Sequence, residues 1–588
     1  MFLQKLFNRL LYWRLQYIGN RTFLIIASIL VGAVAALAAI VLKRLVHLLH
    51  KIPAYFDNFS ANHYWLFTMP LLGIVITILV VKFLFRNHLE KGLGSILYSI
   101  IRKSSKVDKN KMYSHIVTSG ITVGLGGSAG LEAPIAITGS AIGANIADLL
   151  NFGYRERTLL LACGAASGIA AVFNCPIAGV IFALEVLLTN FSIPSFIPLL
   201  ISTATATIIS KLLYKGQLFY LISNDWYFHA IPFYILLGLI CGLLSAYMKR
   251  ITLSIEGYFV SVKKKIIRSV LGMLFLGLLI YLIPPLFGEG YDSIESLLKG
   301  SYNDILNNSL FGGFADNVWF ILTFTIAIIL IKVIATSLTV GSGGNGGIFA
   351  PSLFTGAFTG FGLAYFVNAT GISSLNVPNF IVVGMAGILS GVVHAPLTAI
   401  FLIAEITGGY VLFVPLMIVS ALSFFITRYF EPYSVYTKHL AQRGHISDDK
   451  DSNLLNQLNI KDLIEKDFII LKSDDYLKNF IKAFTKSNRN MFPVTNKEGE
   501  FAGVILLDNI KDMLFQTELY DKIKLGELVQ DVITIDISED MTSAMSKFEK
   551  YNLWSIPVLK DKKYVGFISR SNILTFYRQK LRRSTAMF

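Results

Sequence analysis

Charged residues are scarce in this chain of 588: Asp, Glu, Lys and Arg together make up 15% of it. A soluble domain carries about 25%, so this composition excludes a chain that meets water on all sides. Cysteine is nearly missing as well. The three copies, Cys163, Cys175 and Cys241, all fall in apolar segments, which rules out a disulfide framework and leaves no metal-ligand spacing. Histidine clusters, nucleophile elbows and phosphate-binding loops are absent, so nothing argues for an enzyme or implies a cofactor. Acid is missing from residues 1–21, which hold Lys5, Arg9, Arg14 and Arg21. Their apolar positions are interrupted by these bases at helical spacing, and no small-residue cleavage site follows. The segment reads as a basic amphipathic helix lying on the inner membrane surface rather than a cleaved signal.

What is abundant is apolar sequence, at 54%. Runs at 22–42, 65–85, 231–247, 269–287, 318–338 and 379–404 approach the ~20 residues needed to cross a bilayer. With broken and tilted pieces included, about ten to twelve crossings or partial crossings are expected. Basic residues gather at 102–111 and 263–268, whereas 289–316 carries Glu289, Asp292, Glu295, Asp304 and Asp316 against a single Lys299. The positive-inside rule then places the N-terminus and the basic loops in the cytoplasm; the membrane expected is an inner (plasma) membrane of bacterial type. The net charge of +15 fits topology and anionic lipid. No recognition motif for nucleic acid accompanies it.

The chain is internally duplicated. Gly130-Leu131-Glu132-Ala133-Pro134, followed by Thr138-Gly139, returns 217 residues later as Gly347-Ile348-Phe349-Ala350-Pro351, followed by Thr355-Gly356. Gly164…Pro176…Glu185 returns 220 residues later as Gly384…Pro396…Glu405, with the same internal spacings of 12 and 9. Gly-rich, Pro-interrupted stretches inside membrane tracts mark helices that break and aim their ends at a site between repeats. Such backbone is tolerated at that depth only when it is buried in protein or lines a polar cavity. Pro134 and Pro351 suit a first helical turn, and a helix N-terminus attracts anions. The competing reading, close helix packing through small residues, does not account for the prolines and the carboxylate. Glu132 is the one motif carboxylate whose repeat mate, Phe349, is not acidic. An intramembrane carboxylate without a symmetry explanation is functional by default.

On these residues the sequence resembles the CLC family of chloride channels and chloride/proton exchangers over roughly 20–444. The family's Gly-Lys/Arg-Glu-Gly-Pro motif stands here as Gly130-Leu131-Glu132-Ala133-Pro134, without the basic residue and the second glycine. Its Gly-x-Phe-x-Pro motif is intact as Gly347-Ile348-Phe349-Ala350-Pro351. The resemblance implies an all-α polytopic membrane domain, an inverted repeat of broken and tilted helices, over 22–444, and a homodimer with one pathway per subunit. It also implies Glu132 as the gate, and an anion held by the amides of Ile348 and Phe349 and the hydroxyl of Tyr436. The family's first anion motif, Gly-Ser-Gly-Ile-Pro, aligns with Glu90–Ile96, which puts Lys91 at the usual serine beside Gly92, and Gly94 at the usual proline. An ammonium there would bind anions strongly and slow their release. The alternative is that Lys91 pairs with Glu90 or snorkels to the inner surface. Both readings stay open.

In exchangers of the family an internal proton-accepting glutamate often lies at the position of Val186, which carries no proton. Glu185 is its neighbour, but Glu405 occupies the same place in the other half, so a shared structural role is the reading for both. A proton path, if one exists, would draw on Glu132, Lys91 and Glu185. The expectation is passive, channel-like conduction of chloride and other small anions, with proton antiport through Glu132 as the alternative. A divalent-cation transporter is a remote third: it would need clustered acids, and Glu132, Glu185 and Glu405 are dispersed.

After Gly444 the composition turns polar. A linker is expected at 445–459, followed by two α/β copies at 460–517 and 523–582. Phe492-Pro493-Val494 with Gly503-Val504-Ile505 returns as Ile556-Pro557-Val558 with Gly566-Phe567-Ile568. Strand, turn, strand and a helix starting at Asp508 or Ser571-Asn572 are predicted. The copies resemble a tandem CBS-domain pair, a common cytoplasmic tail of this family, which often binds adenine nucleotides. Ser569 and Asn572 stand at the contact positions of the second copy, and Leu506 and Asn509 at those of the first. Asn572 replaces the usual aspartate, so the ribose hydroxyls lose a charge-assisted partner. A structural, dimer-packing tail is the preferred reading.

Overall fold

The computed structural model describes residues 17, 19–57, 64–86, 88–188, 193–214, 225–261, 265–306, 309–314, 316–442 and 460–585. The amphipathic helix expected at 1–21 lies almost wholly outside the described residues, and the linker at 445–459 lies outside them entirely. The chain divides into two units, Met1–Gln442 and Arg443–Phe588.

The first half of the membrane unit contributes α1 (Asn20–Asp57), α2 (Trp65–Phe83), α3 (Gly94–Arg102), α4 (Ser114–Gly124), α5 (Glu132–Leu149), α6 (Tyr154–Phe173), α7 (Pro176–Phe182) and α8 (Ile193–Leu213). The second half contributes α9 (Ile231–Ser261), α10 (Lys265–Leu282), α11 (Tyr291–Leu298), α12 (Val318–Gly341), α13 (Phe349–Ala369), α14 (Val377–Val393), α15 (Pro396–Ile406), α16 (Phe413–Phe430) and α17 (Lys438–Gln442). Among the described residues eight helices are long and apolar enough to cross a membrane, and four shorter apolar ones accompany them. The 379–404 tract, expected as one crossing, is two helices. His394 adopts a left-handed conformation at φ 61°, and Pro396, which has no N–H to donate, opens α15. Asn174 does the same at φ 57° before Pro176, so the break is itself part of the repeat.

Glycine sets the helix spacing. A methyl group on Gly164 would land on the carbonyl of Gly139, so α5 and α6 touch backbone to backbone; Gly384 and Gly356 do the same for α13 and α14. The second motif pair closes the frame by mutual capping. Glu405 accepts from the amides of Ile177 (3.0 Å) and Ala178 (2.8 Å) at the start of α7. Glu185 accepts from those of Leu397 (3.0 Å) and Thr398 (2.7 Å) at the start of α15. Each carboxylate satisfies the orphan N–H groups of its mate's helix.

The tail holds two three-stranded sheets, ordered β1 (Leu471–Lys472), β2 (Met491–Thr495), β3 (Phe501–Leu506) and β4 (Ile535–Asp536), β5 (Ser555–Lys560), β6 (Lys563–Ser569). In each, a parallel pair precedes an antiparallel one, and each has an irregularity directly after the Pro-Val of its motif, at Val494/Thr495 and Val558/Leu559. Helices follow at Leu507 and Arg570, within a residue of the predicted starts. The copies also exchange segments. Ile460 and Leu463 pack in the core with Ile556 and Ile568, Glu465 bridges to Phe567, and Leu525 packs with Phe492 and Ile505.

Candidate functional site

The two copies of the first motif meet directly. Gly130 and Gly347 form an antiparallel bridge, each amide donating to the other's carbonyl at 2.8 and 2.7 Å. Such mutual pairing is what a two-fold relation between the two copies gives. Beyond the bridge, Leu131 and Ile348 adopt nearly the same conformation, φ −94°, ψ −11° and φ −90°, ψ −3°, before α5 and α13 begin. First-turn N–H groups of both helices have no intrahelical acceptor, so two partial positive ends converge here.

Glu132 is buried at this junction, at 1% exposure. Its Oε1 accepts from the Tyr291 hydroxyl at 2.6 Å, and its Oε2 from the amide of Ala350 at 3.3 Å. The carboxylate therefore sits on the N-terminus of the opposite repeat's helix. Phe349, its mate, faces other side chains, its ring 5.8 Å from Phe173 and 6.5 Å from Phe182. Tyr436 is buried as well. Its backbone packs against Gly94, where a Cβ would lie 2.9 Å from the Tyr436 carbonyl oxygen. Gly92 turns the chain at φ 78°, a conformation that favours glycine.

Lys91 reaches backbone carbonyls of the turn before the Gly347 motif. Its ammonium donates to the carbonyls of Gly344 (2.6 Å) and Val340 (3.1 Å) at the end of α12. Glu90 pairs with Lys111 at 2.6 Å. The turn that Lys91 grips leads into the Gly347 motif. From its other side Asn345 reaches Thr118 Oγ1 (2.7 Å) and His115 Nδ1 (3.2 Å). Glu185 lies away from these groups, both of its oxygens occupied on α15, with Thr398 Oγ1 donating as well at 2.7 Å. In the tail, Ser569 Oγ donates to Glu465, and Asn572 Nδ2 donates to the Leu463 carbonyl at 2.9 Å.

Three residues of the site escape a reading of sequence alone. Tyr291 is the hydroxyl on Glu132. Glu289, counted above only as loop charge, folds inward so that its Oε1 accepts from the Leu131 amide at 3.3 Å. Lys332, fully buried on α12, donates to the carbonyls of Gly288 (3.1 Å) and Leu286 (3.3 Å) and lies 4.6 Å from the Phe354 ring centre. The one available signal was a lysine inside an apolar run.

Residues 72–428 match the family described as voltage gated chloride channel, and 460–515 and 525–579 each match the CBS domain. The chloride channel protein CLC-e of Arabidopsis thaliana is 28% identical over 451 residues, 68% of this chain and 59% of that one. The H(+)/Cl(-) exchange transporter ClcA of Vibrio parahaemolyticus is 31% identical over 311 residues, 50% of this chain and 62% of that one. The chain thus spans about six tenths of the length of these two relatives. A crystal structure of a eukaryotic CLC transporter shares the fold at a TM-score of 0.60 and 19% identity, covering 93% of this chain and 97% of that one. With more than half its length matched, the chain belongs to the voltage-gated chloride channel family of anion transport proteins and carries a pair of CBS domains behind its membrane unit.

Proposed function

We propose that this protein conducts chloride and other small anions passively, gated by the Glu132 side chain. The observation that carries the reading is the Glu132 carboxylate lying on the Ala350 amide. A carboxylate there holds the position to which a helix N-terminus draws an anion. Deprotonated, it occupies the path; protonated, it loses its attraction to the amide end and leaves the place to a permeant ion. The ion next meets the amides of Ile348 and Phe349, the Tyr436 hydroxyl, and the turn of Lys91 and Gly92. Gly130, Leu131, Ala133, Pro134, Gly347 and Pro351 shape the two helix entrances. Residues 22–444 form the transport domain, in a bacterial-type inner membrane, as a homodimer. The copies at 460–517 and 523–582 lie in the cytoplasm as a structural tail; Ser569 and Asn572 are committed to contacts within it, which disfavours nucleotide.

Proton-coupled exchange is the second reading, favoured by the Tyr291 hydroxyl on Glu132, which offers a route for a proton. Against it stand Val186, which carries no proton, and Glu185, which is engaged as a helix cap. Chloride efflux from liposomes, recorded together with pH, separates the two. Efflux without stoichiometric uphill proton movement is expected, and sustained proton movement driven by a chloride gradient overturns the passive mechanism.

A further inference from the structure

Two helix ends meet at the Gly130–Gly347 bridge, and each is taken by a carboxylate. Glu132 holds an amide of α13, and Glu289 holds the Leu131 amide at the entrance to α5. Leu131 is the residue before Glu132, so the two acids are brought together at one junction. Nothing in the mechanism proposed above uses Glu289, although a second acid beside a gate is an expensive feature in an apolar surround.

The loop that carries Glu289 is shaped to hold it there. Gly288 (φ 58°) and Gly290 (φ 88°) flank it in left-handed conformations, and the Gly288 amide donates to Gly126 at 3.1 Å. Lys332 clamps the carbonyls just before it. Three residues beyond Gly288, the same loop delivers the Tyr291 hydroxyl to Glu132.

We infer that Glu289 is a positioning residue of the gate, a second carboxylate whose charge sets the pH at which Glu132 leaves its seat on α13. The inference rests on the gating role of Glu132. Two like charges at one junction disfavour the state in which both are ionised, so Glu289 promotes protonation and release of the gate. Other charged or titratable groups of the described residues also face the pair. α11 brings Tyr291, with Asp292 beside it acting on His50, and α12 brings Lys332. α1 brings Lys43 and, against Gly288 and Phe287, His50. The segment leading into α17 brings Tyr436. Lys332 opposes Glu289, its positive charge favouring the seated, ionised gate.

The test is chloride flux in liposomes as a function of pH. Glu289→Gln keeps an acceptor for the Leu131 amide and removes only the charge. Its half-maximal pH should move toward acid by about one unit, as expected for loss of a close like charge. Glu289→Asp should recover part of that shift. Lys332→Met should move the curve the other way. Glu132→Gln should conduct with a flat profile. A Glu289→Gln midpoint that matches wild type, or moves toward alkali, overturns this inference and leaves the gate intact. A wild type with no pH dependence overturns the gate and the inference together. Should Lys332→Met fail to assemble, the Glu289 pair decides alone.

Discussion

The two halves of the membrane unit share a scaffold and part company at one position. Gly139 meets Gly164 as Gly356 meets Gly384, and Asn174 and His394 turn the chain the same way. Glu185 and Glu405 cap each other's helices. At the third place of the first motif the match ends: Glu132 reaches across to the other repeat, while Phe349 packs among phenylalanines. Symmetric residues are accounted for by the frame they build. The asymmetric carboxylate is not, and a buried acid without an acidic mate is the position at which a role in transport is to be tested.

The largest effect is therefore expected where the halves differ. Glu132→Gln should abolish the pH dependence of anion flux while flux itself stays substantial, because the amide fills the same volume without a titrating charge. Phe349→Leu, at the mate position, should leave the pH profile in place. Stopped-flow chloride flux across a pH series checks both. Loss of all chloride movement in Glu132→Gln, beside a pH-independent wild type, would return Glu132 to a structural role and erase the distinction.

Where the halves agree, the effects should be alike and smaller. Glu185→Ala and Glu405→Ala each strip a helix of its cap, at a cost of about 1–2 kcal/mol. Thermal unfolding in detergent should fall by similar amounts in the two variants, with the pH profile of flux unmoved. A change in proton movement in Glu185→Ala alone would break the symmetry and restore Glu185 to a proton path.

Much of this frame is legible in sequence because glycine and proline act through backbone geometry, which leaves them at fixed offsets in both copies. The helix starts at Glu132 and Phe349 and the duplicated strands of the tail are of that kind, whereas the break before Pro396 lies inside a tract that hydropathy reads as one crossing. What is not legible depends on side chains that reach far along the chain. Lys91 finds its carbonyls 249 and 253 residues away, and its charge says nothing about which helix end lies there. Glu289 reads as loop charge by hydropathy, yet Gly288, Gly290 and Lys332 turn it inward. In the tail, the strand pattern marks each copy but not the exchange that pairs Glu465 with Phe567, since an apolar residue carries no record of which core it joins.

Lys91 offers the finest test, because it has no counterpart in a comparison of the halves and acts through two effects of similar size. As a cation on the last carbonyls of α12 it stabilises that helix end, an effect of about 0.3–1 kcal/mol. Hydrogen bonds to neutral carbonyls do not discharge an ammonium, so its field would act on an anion bound near Gly92 in a medium of low dielectric. Lys91→Ser removes both contributions, whereas Lys91→Arg keeps the charge. Calorimetric titration with chloride should show the serine variant several-fold weaker, within the tenfold that about 1.4 kcal/mol represents, and the arginine variant close to wild type. Thermal stability of the serine variant should fall only slightly. If chloride affinity is unchanged at acid and alkaline pH while stability falls, Lys91 is a helix cap alone, and the anion is held there by backbone amides and Tyr436 without help from a fixed charge.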